Sequence, residues 1–234
     1  MPNIYKLIPI IDLDKENQIK VLRIRNEENV RKWMYTDHEI LENEHFNWIN
    51  KLKENNKMRV YVIMENGLEP VGVINIVDID IIHKKANWGF YIGEKYQGTG
   101  IGVVLEILFL EYCFINFGLE KINCEVIEGN TSVIKLHKEL LFQEEGFLRK
   151  NIIKNGERVG VYLLGLIKEE WDNNYIEIKQ KYGNILKFFQ ITIGDNILKL
   201  RESETIVSIT PPPKFYFVII NYICHVVEKT RHDG

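Results

Sequence analysis

Gln97-Gly98-Thr99-Gly100-Ile101-Gly102 stands between a predicted strand, Asn87 to Ile92, and a predicted apolar helix, Val103 to Phe117. A glycine-rich turn that opens a helix is an anion site, because its exposed backbone N–H groups and the positive end of the helix macrodipole both stabilise negative charge. Glycine suits the position, since a Cβ would hold a pyrophosphate away from the backbone and would disfavour positive φ. Two nucleotide loops are excluded. A Walker A loop ends in Gly-Lys-Ser/Thr, whereas Gly102 is followed by Val103. A dinucleotide fingerprint would place glycine or alanine at position 103 or 105, where the chain has Val103 and Leu105.

Around this turn the hydrophobic pattern alternates between strand and helix periods. Ile4 to Ile10 reads as a strand, Leu13 to Asn26 as an amphipathic helix, and Glu42 to Lys53 as a second helix with Phe46, Ile49 and Leu52 on one stripe. Arg59 to Met64 and Val71 to Ile82 form a hairpin about Glu65-Asn66-Gly67, and a polar turn at His83 leads into Asn87 to Ile92. After the apolar helix, Gly118 falls at the C′ position. Lys121 to Ile127 is a strand, Thr131 to Phe142 a helix, and Phe147 to Ile153 with Arg158 to Ile167 a hairpin about Asn155-Gly156. The order is β-α-α-β-β-β-α-β-α-β-β.

The turn fits Q/R-x-x-G-x-G/A, and it resembles the acyl-CoA pyrophosphate loop of the GNAT superfamily of N-acetyltransferases. The same resemblance runs through Trp88 to Ile92, Asn130 to His137 and Phe142 to Phe147, and covers about residues 1–170. It implies an α/β (α+β) fold in which a central mixed, mostly antiparallel sheet is flanked by helices. Within the superfamily, Leu22-Arg23-Ile24-Arg25-Asn26, Trp33-Met34-Tyr35 and His45-Phe46-Asn47-Trp48-Ile49 look like PseH-type enzymes. Those acetylate the 4-amino group of a UDP-linked amino sugar on the way to pseudaminic acid, so the resemblance implies acetyl-CoA as co-substrate and a nucleotide sugar as acceptor.

Composition limits the alternatives. A chain of 234 residues, 45% hydrophobic and 27% charged, can bury one sizeable core. A formal net charge of -3 gives no electrostatic argument for nucleic acid. Cys113, Cys124 and Cys224 are widely spaced and suggest neither a disulfide framework nor a zinc site, so no metal is expected. Met1 to Asp14 has no basic segment followed by an apolar one, as a signal peptide would, and a cytoplasmic location is the expectation.

Acetyl transfer to an amine needs a base for the amine proton, a donor to the tetrahedral oxyanion and an acid for the departing thiolate. Under the resemblance, backbone groups of Gly89 to Ile92, Phe90 and Tyr91 among them, meet the oxyanion and pantetheine on a strand splayed from its parallel neighbour. Gln97, Gly98, Thr99, Gly100, Ile101 and Gly102 hold the pyrophosphate, and Asn130 contacts the pantetheine arm. Read from its position alone, Asn130 is equally a helix N-cap. His137 stands where many relatives carry a tyrosine that protonates the CoA sulfur; imidazole can donate near neutral pH. Glu125 is the candidate base, with a structural alternative as the ion-pair partner of Lys121, which shares its face by period 2. Tyr91, beside the acetyl group, and Asn75, on the strand lining the acceptor cleft, complete the catalytic candidates. Arg25 and His45 match positions associated with the nucleotide, a role that suits a guanidinium fork. Trp33 and Tyr35 either stack on the base or pack against the first helix.

Residues 171–234 form a C-terminal extension without a family resemblance. Ile191 to Leu200 reads as a strand pair about Gly194-Asp195, Pro211-Pro212-Pro213 interrupts the chain, and Phe215 to Val227 is an apolar run. That run is shorter than the roughly 20 residues that span a bilayer, so no membrane span is expected. It would dock on the catalytic domain or on a second subunit, which makes a homodimer one outcome. Two other readings stay open: an acetyltransferase for a polyamine or a protein N-terminal amine, and an acyl-CoA-binding module without catalysis.

Overall fold

The structure, a computed structural model, describes residues 2–201. The proline run, the apolar run Phe215 to Val227 and Cys224 lie outside the described residues. Strand β1 (Asn3–Pro9) leads to helix α1 (Lys15–Asn26), whose first turn is capped by Asp14 accepting the Asn17 N–H at 2.8 Å. A short helix α2 (Glu28–Arg31) and helix α3 (Glu42–Leu52) follow. Strands β2 (Arg59–Glu65), β3 (Glu69–Asp80) and β4 (Lys85–Ile92) form a meander. The glycine turn then opens helix α4 (Ile101–Asn116). Strand β5 (Lys121–Ile127), helix α5 (Thr131–Glu139) and strands β6 (Gln143–Lys154) and β7 (Glu157–Ile167) complete the expected order.

Boundaries moved where backbone conformation overrode the apolar pattern. Helix α5 stops at Glu139 instead of Phe142, because Leu141 takes φ 75° and turns the chain back toward β6. Both predicted Asn-Gly hairpins form, with positive φ at Asn66, Gly67, Asn155 and Gly156 as their turns require. Gly118 closes α4 at φ 63°.

The strands of the described residues join one sheet in the order β6-β7-β5-β4-β3-β2-β1-β8-β9, where β8 (Phe189–Ile193) and β9 (Asn196–Leu198) come from the C-terminal extension. On one face α4 is buried on nearly every side, and Phe109, Phe114, Ile107 and Leu105 pack with Ile74, Ile76, Trp88 and Leu164. On the other face α1 and α3 set Val21 and Ile49 against Val60, Val62 and Val73. Gly72 allows the close approach of β3 to β4, since a Cβ there would meet the Tyr91 carbonyl oxygen at 2.1 Å.

The expected domain boundary near residue 170 falls inside a compact unit that runs to Leu200. Strand β8 pairs in parallel with β1, from Asn3 opposite Phe189 to Leu7 opposite Ile193. Between β7 and β8 lie α6 (Lys168–Asn173) and α7 (Tyr175–Leu186). Trp171 of α6 is fully buried and donates its indole N–H to Glu111 of α4 at 2.7 Å. Burying a side chain of that size contributes about 3 kcal/mol, and the hydrogen bond gives the buried Glu111 carboxylate a donor.

The parallel ladder between β4 and β5 decides the site. It holds only from Lys85 opposite Lys121 to Asn87 opposite Asn123. Beyond Asn87 the two strands diverge, while β3 stays on the outer edge of β4 and β7 on the outer edge of β5. The facing edges of Trp88 to Tyr91 and Cys124 to Val126 are left without a strand partner, while the Ile92 and Ile127 carbonyls accept from Gln97 and from the Asn130 N–H.

Candidate active site

A cavity of about 990 Å³ passes through this gap, lined by Trp88 to Ile92 on one side and Cys124 to Ile127 on the other. Because neighbouring strand residues point to opposite faces, the cavity collects side chains from both sides of the sheet. Trp88 and Phe90 stack at 5.4 Å on the α4 side. Tyr91 packs on the α1 and α3 side, where its register partner is Val73, and Asn75 is opposite Gly89. Gln97, Gly98, Gly102, Asn130 and His137 also line the cavity, together with Arg25 and His45.

The glycine turn is built as the sequence requires. Gly98 and Gly100 take φ 77° and 87°, and Gly100 is the left-handed N-cap residue of α4. Gln97 donates its side-chain amide to the Ile92 carbonyl at 3.1 Å, tying the turn to the end of β4, and Thr99 donates its hydroxyl to Tyr96 at 2.7 Å. Thr99, Gly100 and Ile101 shape the turn from behind, whereas Gln97, Gly98 and Gly102 face the cavity. The first-turn N–H groups of a helix, two glycines with positive φ and a strand edge free of its neighbour fit a pyrophosphate followed by a pantetheine arm.

Asn130 is mostly buried, and its side chain makes no capping bond to α5. The N-cap alternative is therefore not what its amide does. Glu125 does not pair with Lys121, which bonds Glu145 at 2.6 Å across to β6. The Glu125 carboxylate instead accepts the Tyr35 hydroxyl, so the loop after α2 closes onto β5. Burial and that carboxylate both push the Tyr35 phenol up, keeping it a donor. The loop is latched a second time where Lys154 meets the Met34 carbonyl at 2.6 Å and Asp37 at 2.5 Å.

His137 and Glu125 do not face one another. They approach the gap from opposite faces of β5, where Cys124 lies beside the His137 ring and Glu125 points the other way. The His137 ring is buried edge-on to Trp88, and its Nδ1 meets Oε1 of Glu106 at 2.6 Å. Burial pulls the imidazole down, but Glu106 with Cys124 outweighs it and raises the pKa to about 10.

Arg25 reaches the cavity from α1 and sits near Tyr91; burial, opposed by Tyr91, lowers its pKa. Its Nη1 is buried and finds no hydrogen-bond acceptor among the described residues. His45 has its Nε2 on the Gln18 carbonyl at 3.0 Å and packs on Phe46 and Trp48, which makes it a strut between α3 and α1 as well as part of the wall. Trp33 lines the cavity. Glu39 and Glu42 border a separate hollow with Arg23, and Glu44 is held by the Leu41 N–H and His38. Among the described residues no group of three or more His, Cys, Asp or Glu could hold a metal, and no helix is long and apolar enough to cross a membrane.

Glu106, Cys124, Trp88 and the Tyr35–Glu125 contact were absent from the sequence-based site. Glu106 had a signal: it and Glu111 are the charges inside the otherwise apolar run Val103 to Phe117. A charge on the wall of a core helix demands a buried partner.

The model of the acetyltransferase (GNAT) domain matches residues 8–143. The uncharacterized N-acetyltransferase YokL, derived from the SPbeta prophage of Bacillus subtilis, is 29% identical over 130 residues, 55% of this chain and 72% of that protein. Spermidine N(1)-acetyltransferase of Vibrio cholerae is 27% identical over 124 residues, 53% of this chain and 72% of that protein. Acetyltransferase PseH of Campylobacter jejuni is 23% identical over 134 residues, 57% of this chain and 82% of that protein. Among solved structures, the Vibrio cholerae spermidine N-acetyltransferase in complex with CoA and spermine superposes with a TM-score of 0.66 at 23% identity, covering 72% of this chain and 98% of that one.

Proposed function

The chain belongs to the GNAT acetyltransferase family and is an acetyl-CoA-dependent N-acetyltransferase, and from that premise we propose that its acceptor is the primary amine of a nucleotide-linked amino sugar. The observation that carries this reading is Arg25. A buried guanidinium nitrogen without an acceptor costs about 1–3 kcal/mol, and an anionic group of the acceptor offsets that cost. The cavity's charged walls, Arg25, Lys32, Glu44 and Glu125, also balance in sign, whereas a polycation would favour a wall of carboxylates. Trp33 and Trp48 supply flat apolar surface for a base.

In this reading Glu125 takes the amine proton, directly or through a water, and the unpaired N–H groups of β4 stabilise the tetrahedral oxyanion. The C–S bond then breaks with its electrons on sulfur, and His137 protonates the leaving thiolate. Transfer is direct in a ternary complex. Cys124 is held up by burial, which disfavours a nucleophilic thiolate and so opposes an acetyl-enzyme.

A polyamine is the second reading, favoured by the relative from Vibrio cholerae. Thiol release from acetyl-CoA against a panel of UDP-linked 4-amino sugars, spermidine and spermine, and peptides with free N-termini separates the two. Turnover confined to the sugars supports the proposal; turnover confined to the polyamines replaces it. Binding of acetyl-CoA with no turnover on any of these acceptors would sink both acceptor readings.

A further inference from the structure

Helix α4, largely apolar, carries Glu106 with no exposed surface at all; its other charge, Glu111, is met by the Trp171 indole. Oε1 of Glu106 meets Nδ1 of His137 at 2.6 Å, and Oε2 of Glu106 is buried with no hydrogen-bond partner among the described residues. Such a carboxylate is costly to bury, and it persists where one specific partner is to be controlled. We propose that Glu106 is the positioning residue for the acid step: it anchors Nδ1 of His137 and thereby keeps a proton on Nε2, the nitrogen that protonates the departing CoA sulfur. The inference rests on the acetyltransferase reading but not on the identity of the acceptor.

Two protons shared among Nδ1, Nε2 and Oε1 give either an imidazolium beside a carboxylate or a neutral imidazole beside a carboxylic acid. Both arrangements place hydrogen on Nε2 when the bridging proton lies between Nδ1 and Oε1. A neutral amide in place of Glu106 accepts from Nδ1–H through its carbonyl, and a neutral ring then has no hydrogen left on Nε2. The titratable groups acting on the ring are Glu106 from α4 and Cys124 from β5; Trp88 from β4 and Phe142 before β6 enclose it with aromatic carbon. Burial alone would lower the imidazole; Glu106 first, with the Cys124 side chain beside it, outweighs burial and keeps the ring protonated through neutral pH. In the acid step the C–S bond breaks, sulfur gains the Nε2 proton, and the ring regains a proton from solvent before the next turnover.

The test uses the full-length chain with CoA bound and histidine labelled with nitrogen-15, and needs no acceptor. In the wild type Nε2 stays protonated up to near pH 10, whereas in Glu106→Gln, with only Cys124 left to oppose burial, it loses its proton at clearly lower pH. With whichever acceptor turns over, Glu106→Gln lowers kcat roughly 10²-fold at neutral pH with little change in KM. Glu106→Asp, which keeps the charge, retains the protonated ring. In a His137→Tyr background, where the acid no longer depends on a tautomer, Glu106→Gln causes no further loss. An unchanged Nε2 titration in Glu106→Gln overturns the proposal, as does an equal loss of kcat in the tyrosine background. Should Glu106→Gln fail to fold, the wild-type titration decides alone, since an Nε2 that deprotonates near pH 6.5 overturns the proposal. Failure of every acceptor would count against the acceptor reading and leave the titration standing.

Discussion

Asn87 of β4 and Asn123 of β5 are the last partners of their parallel ladder, and past them the two strands separate to admit the cavity. The chain thereby leaves backbone donors and acceptors unpaired along two facing edges, a cost that a ligand with its own amides can offset. Acetyl-CoA is expected to slow amide hydrogen exchange of Trp88 to Ile92 by about tenfold or more, while β1 and β2 stay unchanged. Exchange that stays fast along β4 at saturating acetyl-CoA would place the pantetheine elsewhere.

Arg25→Met removes a buried donor that has no internal acceptor, so its effect separates binding from folding. The apparent KM for the acceptor is expected to rise about 10- to 100-fold, with the KM for acetyl-CoA within about twofold. Thermal stability should hold or increase slightly, because an unbranched apolar chain replaces a partly unsatisfied guanidinium. Steady-state kinetics with each substrate varied checks both statements.

Glu125→Gln keeps a partner for the Tyr35 hydroxyl but removes the base, and kcat is expected to fall by about 10²–10⁴. Tyr35→Phe leaves the base in place and removes one of the two latches on the loop after α2, so it should act mainly on acceptor KM. Equal kcat losses in the two variants would mean that the contact, not the carboxylate, carries the rate.

The Glu106–His137 pair also ties stability to pH. The folded-state pKa of His137 lies above its ordinary 6.5, at about 10, so the stabilisation is complete below 6.5 and is lost as pH rises through 10. The excess unfolding free energy of the wild type over Glu106→Gln should therefore decline across that window. Denaturant titrations at pH 6, 8 and 10 read it, and an excess that grows with pH would contradict the pairing.

Trp171→Phe takes the indole donor from Glu111 in a buried contact between the extension and α4, and should cost about 1–3 kcal/mol. A chain ended after Lys168 loses Trp171 and the β8 partner of β1, and is expected to unfold well below the full-length protein. If calorimetry finds the two equally stable, residues 169–200 are an accessory to the unit and not part of its core.

Much of the fold was legible because its signals are local. Asn66-Gly67 and Asn155-Gly156 determine hairpins by the φ they accept, and the apolar run after Gly102 determines a helix by its length. The extension was legible only as a strand pair, since nothing in Phe189 to Leu198 names β1 as the partner. Asn130 had two readings of equal standing, and only the structure shows that its side chain makes no capping bond.

The site divides in the same way. By itself the sequence determined the anion turn, since Gly98 and Gly100 must take positive φ and α4 must begin there with free N–H groups. It also placed Glu125 on the strand after the apolar helix and His137 on the helix that follows. Tertiary structure alone decided what those groups touch: Tyr35 comes to Glu125 across 90 residues, and Glu106 to His137 across 31. Such contacts follow from the separation of β4 from β5 and from packing of α4 and α5 on one face, and packing leaves no periodic trace in the chain. The physical reason is range: backbone conformation is set within a few residues, whereas the charge and proton on a buried side chain are set by whichever distant groups the folded core brings within hydrogen-bond distance.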